Sequence, residues 1–162
     1  MNADSLDFKV NASTEKDIRS HLSGCDRQFS PPLSGRVDIG EYSKKLRLNG
    51  ITFEAWNGES LVGMVAAYID ARARSCFITN TSVSPEFSRR GVAAKLLAAC
   101  LERARAEQVE TVSLEVSQDS HPAIGLYTKF GFRVVGHRGD FLKMQCAQLK
   151  LQDASCGKGS DP

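Results

Sequence analysis

Val92, Leu96, Leu97, Cys100, Leu101 and Ala104 recur at the three- and four-residue spacing of one helix face, while Lys95, Glu102, Arg103 and Glu107 take the other. The pattern predicts a helix from Arg90 to about Gln108. The runs ahead of it have the shorter period of strands. "ITFEAW" (51–56) alternates apolar and polar residues, and "NGES" supplies a hairpin turn. "LVGMVAAYI" (61–69) is apolar on both faces, as a covered central strand is, and "CFITNTSV" (76–83) predicts a third strand leading into Pro85.

Nearer the N-terminus, residues 7–11 read as a short strand. Ser13 or Thr14 then caps a helix through about Leu22, with Glu15 and Asp17 in its first turn. "FSPPLSGRVD" (29–38) is a loop, because consecutive prolines cannot continue a helix, and a short helix follows over 39–48, stopped by Asn49-Gly50. Beyond the long helix, "TVSLEVS" (111–117) is a strand. Residues 122–130 form a short helix with proline in its first turn and Gly131 at its stop. "FRVVGHR" and "FLKMQCAQL" close the chain as a strand pair around Gly139-Asp140. This order predicts an α/β (α+β) protein with one mixed, mostly antiparallel sheet flanked by about four helices. No internal repeat or linker divides residues 1–150, which are expected to form one domain, and 151–162 read as a polar, disordered tail.

Composition narrows the setting. At 162 residues, 41% hydrophobic and 25% charged, the chain has the make-up of one globular domain. A net charge of +2 with interspersed signs argues against a nucleic-acid partner, and no apolar run reaches the ~20 residues of a membrane span. The start, "MNADSLDFKV", lacks the basic and apolar segments of a signal peptide. Five scattered cysteines show neither metal-ligand nor CxxC spacing. Cys76, Cys100 and Cys146 read as small buried hydrophobes, no metal is expected, and a reduced cytoplasmic setting fits.

The chemistry concentrates at "SPEFSRRGVAAKLL" (84–97), where a strand gives way to a helix. A helix N-terminus exposes unpaired amides and about half a positive charge. Gly91 and Ala93 lack bulk, and Arg89 and Arg90 add charge, so the junction suits a phosphate. The glycines of a dinucleotide fingerprint and the Gly-Lys-Ser/Thr of a Walker loop are both missing. About 30 residues on stands "SHPAIGLYTKFGF" (120–132). With that second motif the chain resembles the GNAT superfamily of N-acetyltransferases. The family's Gln/Arg-x-x-Gly-x-Gly/Ala turn corresponds to Ser88-x-x-Gly91-x-Ala93. Its Asn-x-x-Ala-x-x-Leu-Tyr-x-x-x-Gly-Phe corresponds to Ser120-x-x-Ala123-x-x-Leu126-Tyr127-x-x-x-Gly131-Phe132. The resemblance extends over 53–149 in element order and is specific between Val83 and Phe132. Ser88 and Ser120 depart from the pattern, each losing an amide or a charge and keeping a hydroxyl.

The resemblance implies acetyl transfer from acetyl-CoA (acetyl-coenzyme A) to an amine by direct attack in a ternary complex. Thr81, Ser82 and Val83 would lie along the pantetheine, with the Val83 amide polarising the thioester carbonyl. Arg89, Arg90, Gly91, Val92, Ala93 and Ala94 would hold the pyrophosphate, and Ser120 would sit near the cofactor. Tyr127 is the implied general acid for the departing thiolate, a tyrosine being protonated below its ordinary pKa of about 10. Glu115, out of phase with Val112, Leu114 and Val116, is the candidate base, and Glu54 is the second candidate. His21, at a helix end, His121, opening a helix, and His137, near a turn, rank below them, since ordinary exposed histidines would look the same.

For the acceptor, the resemblance points to "FSPPLSGRVDIGEY" (29–42), with Arg36 and Tyr42 as orienting groups and Glu54 and Trp56 as further candidates. A small-molecule amine (an amino sugar, amine or amino acid) is the leading acceptor. A peptide or protein amine is the alternative, and a non-catalytic acyl-coenzyme A-binding module is the reading from another class. Whether the chain is a monomer or a homodimer stays open.

Overall fold

Residues 5–147 are described by a computed structural model. They form β1 (Asp7–Val10), α1 (Glu15–Cys25), α2 (Ile39–Asn49), β2 (Ile51–Asn57), β3 (Ser60–Asp70), β4 (Ser75–Val83), α3 (Val92–Ala106), β5 (Thr111–Ser117), α4 (His121–Lys129), β6 (Arg133–Arg138) and β7 (Phe141–Ala147). The strands make one seven-stranded sheet in the order β1-β2-β3-β4-β5-β7-β6, the mixed, mostly antiparallel sheet with four helices that the hydrophobic pattern predicts. The expected polar tail and Cys156 lie outside the described residues.

Two compact units make up the chain. The first comprises residues 5–68 with Thr79–Cys100. Here β2 pairs antiparallel with β1 on one side and β3 on the other, Phe53 standing opposite both Val10 and Val65. Thr14 caps α1 reciprocally: its side chain accepts from the Asp17 amide at 3.1 Å, and its own amide donates to Asp17 Oδ2 at 2.8 Å. The helix runs to Cys25, one turn past its expected end at Leu22, because its buried stripe continues through Ile18, His21, Leu22 and Cys25. Ile18, Leu22, Leu46 and Met64 are wholly buried and pack with Leu33, Trp56, Leu61 and Ala66 into one core. Each such aliphatic side chain contributes about 1.5–3 kcal/mol of burial. Trp56, expected at the acceptor, belongs to this core.

Glu54 is fully buried, and its carboxylate is consumed by the fold. It accepts from the Ala12 amide (3.1 Å), the Ser13 amide (3.2 Å), Ser13 Oγ (2.6 Å), Thr52 Oγ1 (2.5 Å) and Trp56 Nε1 (3.0 Å). It therefore ties the turn between β1 and α1 to β2, and with its oxygens so engaged this second candidate base has the surroundings of a structural anchor. Glu54→Gln puts an amide donor among these donors. Chemical denaturation should show a loss of about 3–5 kcal/mol, the scale of a broken buried polar network; a loss below about 1 kcal/mol would deny the anchor.

In the same unit α3 presses on β3 at Gly63, where a Cβ would lie 3.0 Å from Val92 Cγ1 and 3.2 Å from Leu96 Cδ1. The missing side chain lets the first turn of α3 seat against the strand, which fixes the helix N-terminus.

The second unit comprises Ile69–Ile78 with residues 101–147. The lower half of β4 lies parallel to β5, from Ser75 opposite Thr111 to Ile78 opposite Leu114. β7 pairs antiparallel with β5 and with β6, and the register against β6 shifts between Val134 and Gly136. Val112, Leu114, Phe132 and Met144 are buried. The Cys25, Cys76, Cys100 and Cys146 thiols are all buried; this bears out the sequence reading of the last three and adds Cys25.

Candidate active site

Halfway along, β4 changes character twice at one place. Its ladder with β5 ends at Ile78, and its buried residues pass from Cys76 and Ile78 to Asn80 and Ser82. At the strand's end the Ser84 amide donates to the Val62 carbonyl at 2.8 Å. Alternation in an extended backbone turns the neighbouring Val83 amide toward the opposite edge. Thr81 Oγ1 is buried without a hydrogen-bond partner.

The junction before α3 is a built cradle. A 3-10 turn, Pro85–Phe87, is closed by Ser88, whose hydroxyl donates to the Pro85 carbonyl at 2.8 Å. The hydroxyl that replaces the family's amide or guanidinium is thus used within the turn. Arg89 and Gly91 both have left-handed backbone, with φ of 62° and 78°, so the helix starts at Val92 and not at Arg90. Such alternation of backbone hand turns successive amides to one side and makes an anion-binding concavity. The Gly91 carbonyl accepts from Lys95 N at 3.1 Å, and helix geometry leaves the amides of Val92, Ala93 and Ala94 without intrahelical acceptors. A Cβ built on Gly91 meets nothing within 4 Å, so the space before these amides is open. Arg89 and Arg90 are exposed, the Arg90 guanidinium standing 5.6 Å from the Phe87 ring centroid. Backbone donors, helix dipole and two guanidinium groups make a donor set that fits a pyrophosphate.

The connection from α1 to α2 is pinned at several points. Asp26 accepts from Ser34 N and Ser34 Oγ, each at 2.7 Å, and these bonds hold its carboxyl below the usual aspartate range. Leu33 is buried, and Asp38 caps α2 by accepting from the Glu41 amide at 2.9 Å. The Tyr42 hydroxyl reaches the Thr79 carbonyl at 3.0 Å and Thr79 Oγ1 at 2.7 Å, docking α2 on β4. Burial pushes the Tyr42 phenol up to about 12, so it is a neutral group. Arg36 is exposed just after the Leu33–Gly35 turn.

His21 is 4% exposed, unlike the ordinary exposed histidine it could not be told from in sequence: α1 continues past it and turns it inward. Its Nε2 lies 2.9 Å from Ser82 Oγ, and Ser82 Oγ donates to Asn80 Oδ1 at 2.8 Å. Burial lowers the imidazole pKa to about 4 against two backbone hydrogen bonds that raise it, leaving the ring neutral at pH 7. Neither His21 nor Asn80 belongs to a motif. Their sequence signals are the Ile18-His21-Leu22-Cys25 stripe and the alternation of Cys76, Ile78, Asn80 and Ser82.

In the second unit, Glu115 accepts from Arg138 Nε at 2.9 Å and Arg138 Nη2 at 2.5 Å, so the candidate base is ion-paired. Ser120 precedes α4 and makes no side-chain cap; its amide donates to the Ser117 carbonyl at 3.0 Å. Tyr127 is 6% exposed, on the inward face of α4, with its ring centroid 5.7 Å from that of Phe132. The Phe130 and Phe132 amides both donate to the Tyr127 carbonyl at 3.0 Å, holding this residue in the turn that follows the helix.

A family model described as Acetyltransferase (GNAT) family matches residues 16–132. The N-acetyltransferase YvbK of Bacillus subtilis is 27% identical over 141 residues, 87% of this chain and 83% of the relative. A second Bacillus subtilis protein, named for N-acetylation of alanine in ribosomal protein bS18, is 34% identical over 64 residues. That match spans 40% of this chain and only 42% of the relative's length. Among solved structures, PaiA N-acetyltransferase of Thermoplasma acidophilum in complex with coenzyme A superposes with a TM-score of 0.70 at 15% identity, over 87% of this chain and 99% of that one.

Proposed function

We propose that this chain, which belongs to the GNAT family of acetyltransferases, carries the acetyl group of acetyl-coenzyme A to the primary amine of a small molecule, and that residues 1–150 serve as one domain for it. The co-substrate follows from the family, and the cradle at Arg89–Ala94 is the feature of this chain that supports it. The observation that carries the acceptor reading is the pinned connection between α1 and α2. Asp26 with Ser34 and Tyr42 with Thr79 hold it fixed, which supports a wall for a small acceptor.

In the proposed reaction the acceptor binds as an ammonium ion and gives up a proton before attack. The amine nitrogen then bonds to the thioester carbonyl carbon while the Val83 amide donates to the carbonyl oxygen, which gains negative charge. The carbon–sulfur bond breaks, the coenzyme thiolate takes the Tyr127 proton, and the second amine proton returns through solvent to the Tyr127 phenolate, restoring the phenol. The amide product and free coenzyme A balance the atoms. Glu115, held by Arg138, enters this scheme as a group that tunes its surroundings, and water takes the proton in its place.

A peptide amine is the second reading, favoured by the relative named for alanine N-acetylation of a ribosomal protein. Thiol release by purified protein, measured with glucosamine, spermidine, free amino acids and an alanine-initiated peptide, separates the two. Turnover of one or more small amines at ten times the peptide's kcat/KM or better is expected. A preference for the peptide overturns the small-molecule reading.

A further inference from the structure

We propose that His21 is a positioning residue for acetyl transfer: as a neutral donor it fixes Ser82, and through Ser82 and Asn80 it locks α1 and α2 onto Thr79–Val83. The inference rests on the acetyltransferase reading above, which gives that strand segment its task.

The hydrogen bonds have one direction. A carboxamide oxygen only accepts, so the Ser82 proton goes to Asn80 Oδ1 at 2.8 Å. With the single proton of the neutral ring on Nε2, Ser82 Oγ accepts from His21 at 2.9 Å, in competition with the Leu61 and Ser82 backbone groups that also hydrogen-bond the ring. The Asn80 side chain also hydrogen-bonds the Tyr42 hydroxyl, which reaches Thr79. A chain of neutral groups thus runs from α1 across β4 to α2. His21, Ser82 and Asn80 are 4%, 6% and 5% exposed. The groups around the ring are neutral as well: Cys25 Sγ stands 3.9 Å from both ring nitrogens, and burial raises that thiol to about 11. The Glu86 carboxylate acts on the Cys25 thiol, raising it further.

Stability alone does not call for this arrangement. Buried polar groups are costly unless paired, and apolar residues of similar size fill such space as well or better. Directly below, the same face of β4 is apolar at Cys76 and Ile78. The change to polar residues falls where the ladder to β5 ends and the strand loses a neighbour that would hold it. His21 supplies the missing restraint from the helix side. The low basicity of the ring also argues against its taking the acceptor's proton, for which a group with a pKa nearer the working pH is suited.

The test compares His21→Leu with His21→Gln in the full chain, using the best amine from the panel of glucosamine, spermidine, amino acids and the alanine-initiated peptide. Leucine removes the donor and should lower kcat/KM for the amine about 10–100-fold, a span of about 1.4–2.8 kcal/mol. Coenzyme A affinity should fall by a smaller factor than kcat/KM, since His21 touches Ser82 on the proposed pantetheine edge and not the pyrophosphate cradle. Glutamine keeps an N–H donor without a proton-accepting ring and should restore most of the loss with an unchanged pH–rate profile. Equal damage from both variants with loss of the acidic limb would make the ring a base, and no effect from either would leave it structural; each overturns the proposal. The ¹⁵N spectrum of the wild-type ring is read alongside, so that a misfolded leucine variant does not decide the matter. An Nε2–H tautomer that resists protonation down to about pH 4 is expected. An Nδ1–H tautomer, or titration near the ordinary value of about 6.5, overturns the assignment. Absence of turnover with every amine would count against the acceptor reading alone, because the spectrum still decides His21.

Discussion

Tyr127→Phe should fold, bind coenzyme A and turn over about 10²–10⁴-fold more slowly, the usual contribution of a positioned general acid. The substitution deletes one oxygen and keeps the ring, and it is the ring that meets Phe132 at 5.7 Å. The backbone bonds from Phe130 and Phe132 to the Tyr127 carbonyl do not involve the side chain, so the turn after α4 should survive intact. A loss confined to kcat, with the melting temperature and coenzyme affinity near those of the parent, assigns the hydroxyl to the leaving thiolate. Near-normal kcat, measured where the chemical step limits the rate, would leave Tyr127 as a packing aromatic and give protonation to water.

Gly91→Asp should abolish the rise in melting temperature that acetyl-coenzyme A produces. A ligand at 100 times its Kd stabilises the folded state by about 2.7 kcal/mol, several degrees for a domain of this size. Aspartate sets a negative charge in the open space before the α3 amides, against a pyrophosphate of the same sign. It also meets a φ of 78°, where any L side chain carries strain. Gly91→Asn separates the two effects, since asparagine has nearly the same shape, no charge, and the best tolerance of left-handed backbone after glycine. A shift lost with aspartate and largely kept with asparagine identifies charge at the cradle as the cause. An unchanged shift in the aspartate variant would remove Arg89–Ala94 from coenzyme binding.

Elements carried by local periodicity are legible from sequence. α3, β2, β3 and β5 announce themselves by spacing, and Thr14 with Asp17 marks the start of α1. The cradle is legible as well, because it depends on backbone amides, a glycine and the charges of adjacent residues. What the sequence conceals is long-range pairing. The role of Glu54 depends on Ser13, 41 positions away, and that of His21 on Ser82, 61 positions away. A carboxylate on a strand and a histidine near a helix end look the same whether they face solvent, substrate or one another. The pairing of Glu115 with Arg138 is of this kind, across 23 positions. The sequence places both on strands but does not tell that the second occupies the first.

The shift of register between Val134 and Gly136 has a consequence for the rim of the sheet. Among the described residues β6 is an edge strand, and Val134 and Val135 on it are 48% and 50% exposed. A straight edge carrying two adjacent valines would offer its unpaired amides and carbonyls as a template for another chain's strand. The extra residue bends and twists the strand there, so the backbone groups on the outer side no longer line up over the length another strand needs. Arg133, His137 and Arg138 flank the bend. Here a single irregularity in an apolar, β-favouring stretch at the rim of a sheet shortens the straight edge on which another strand could add.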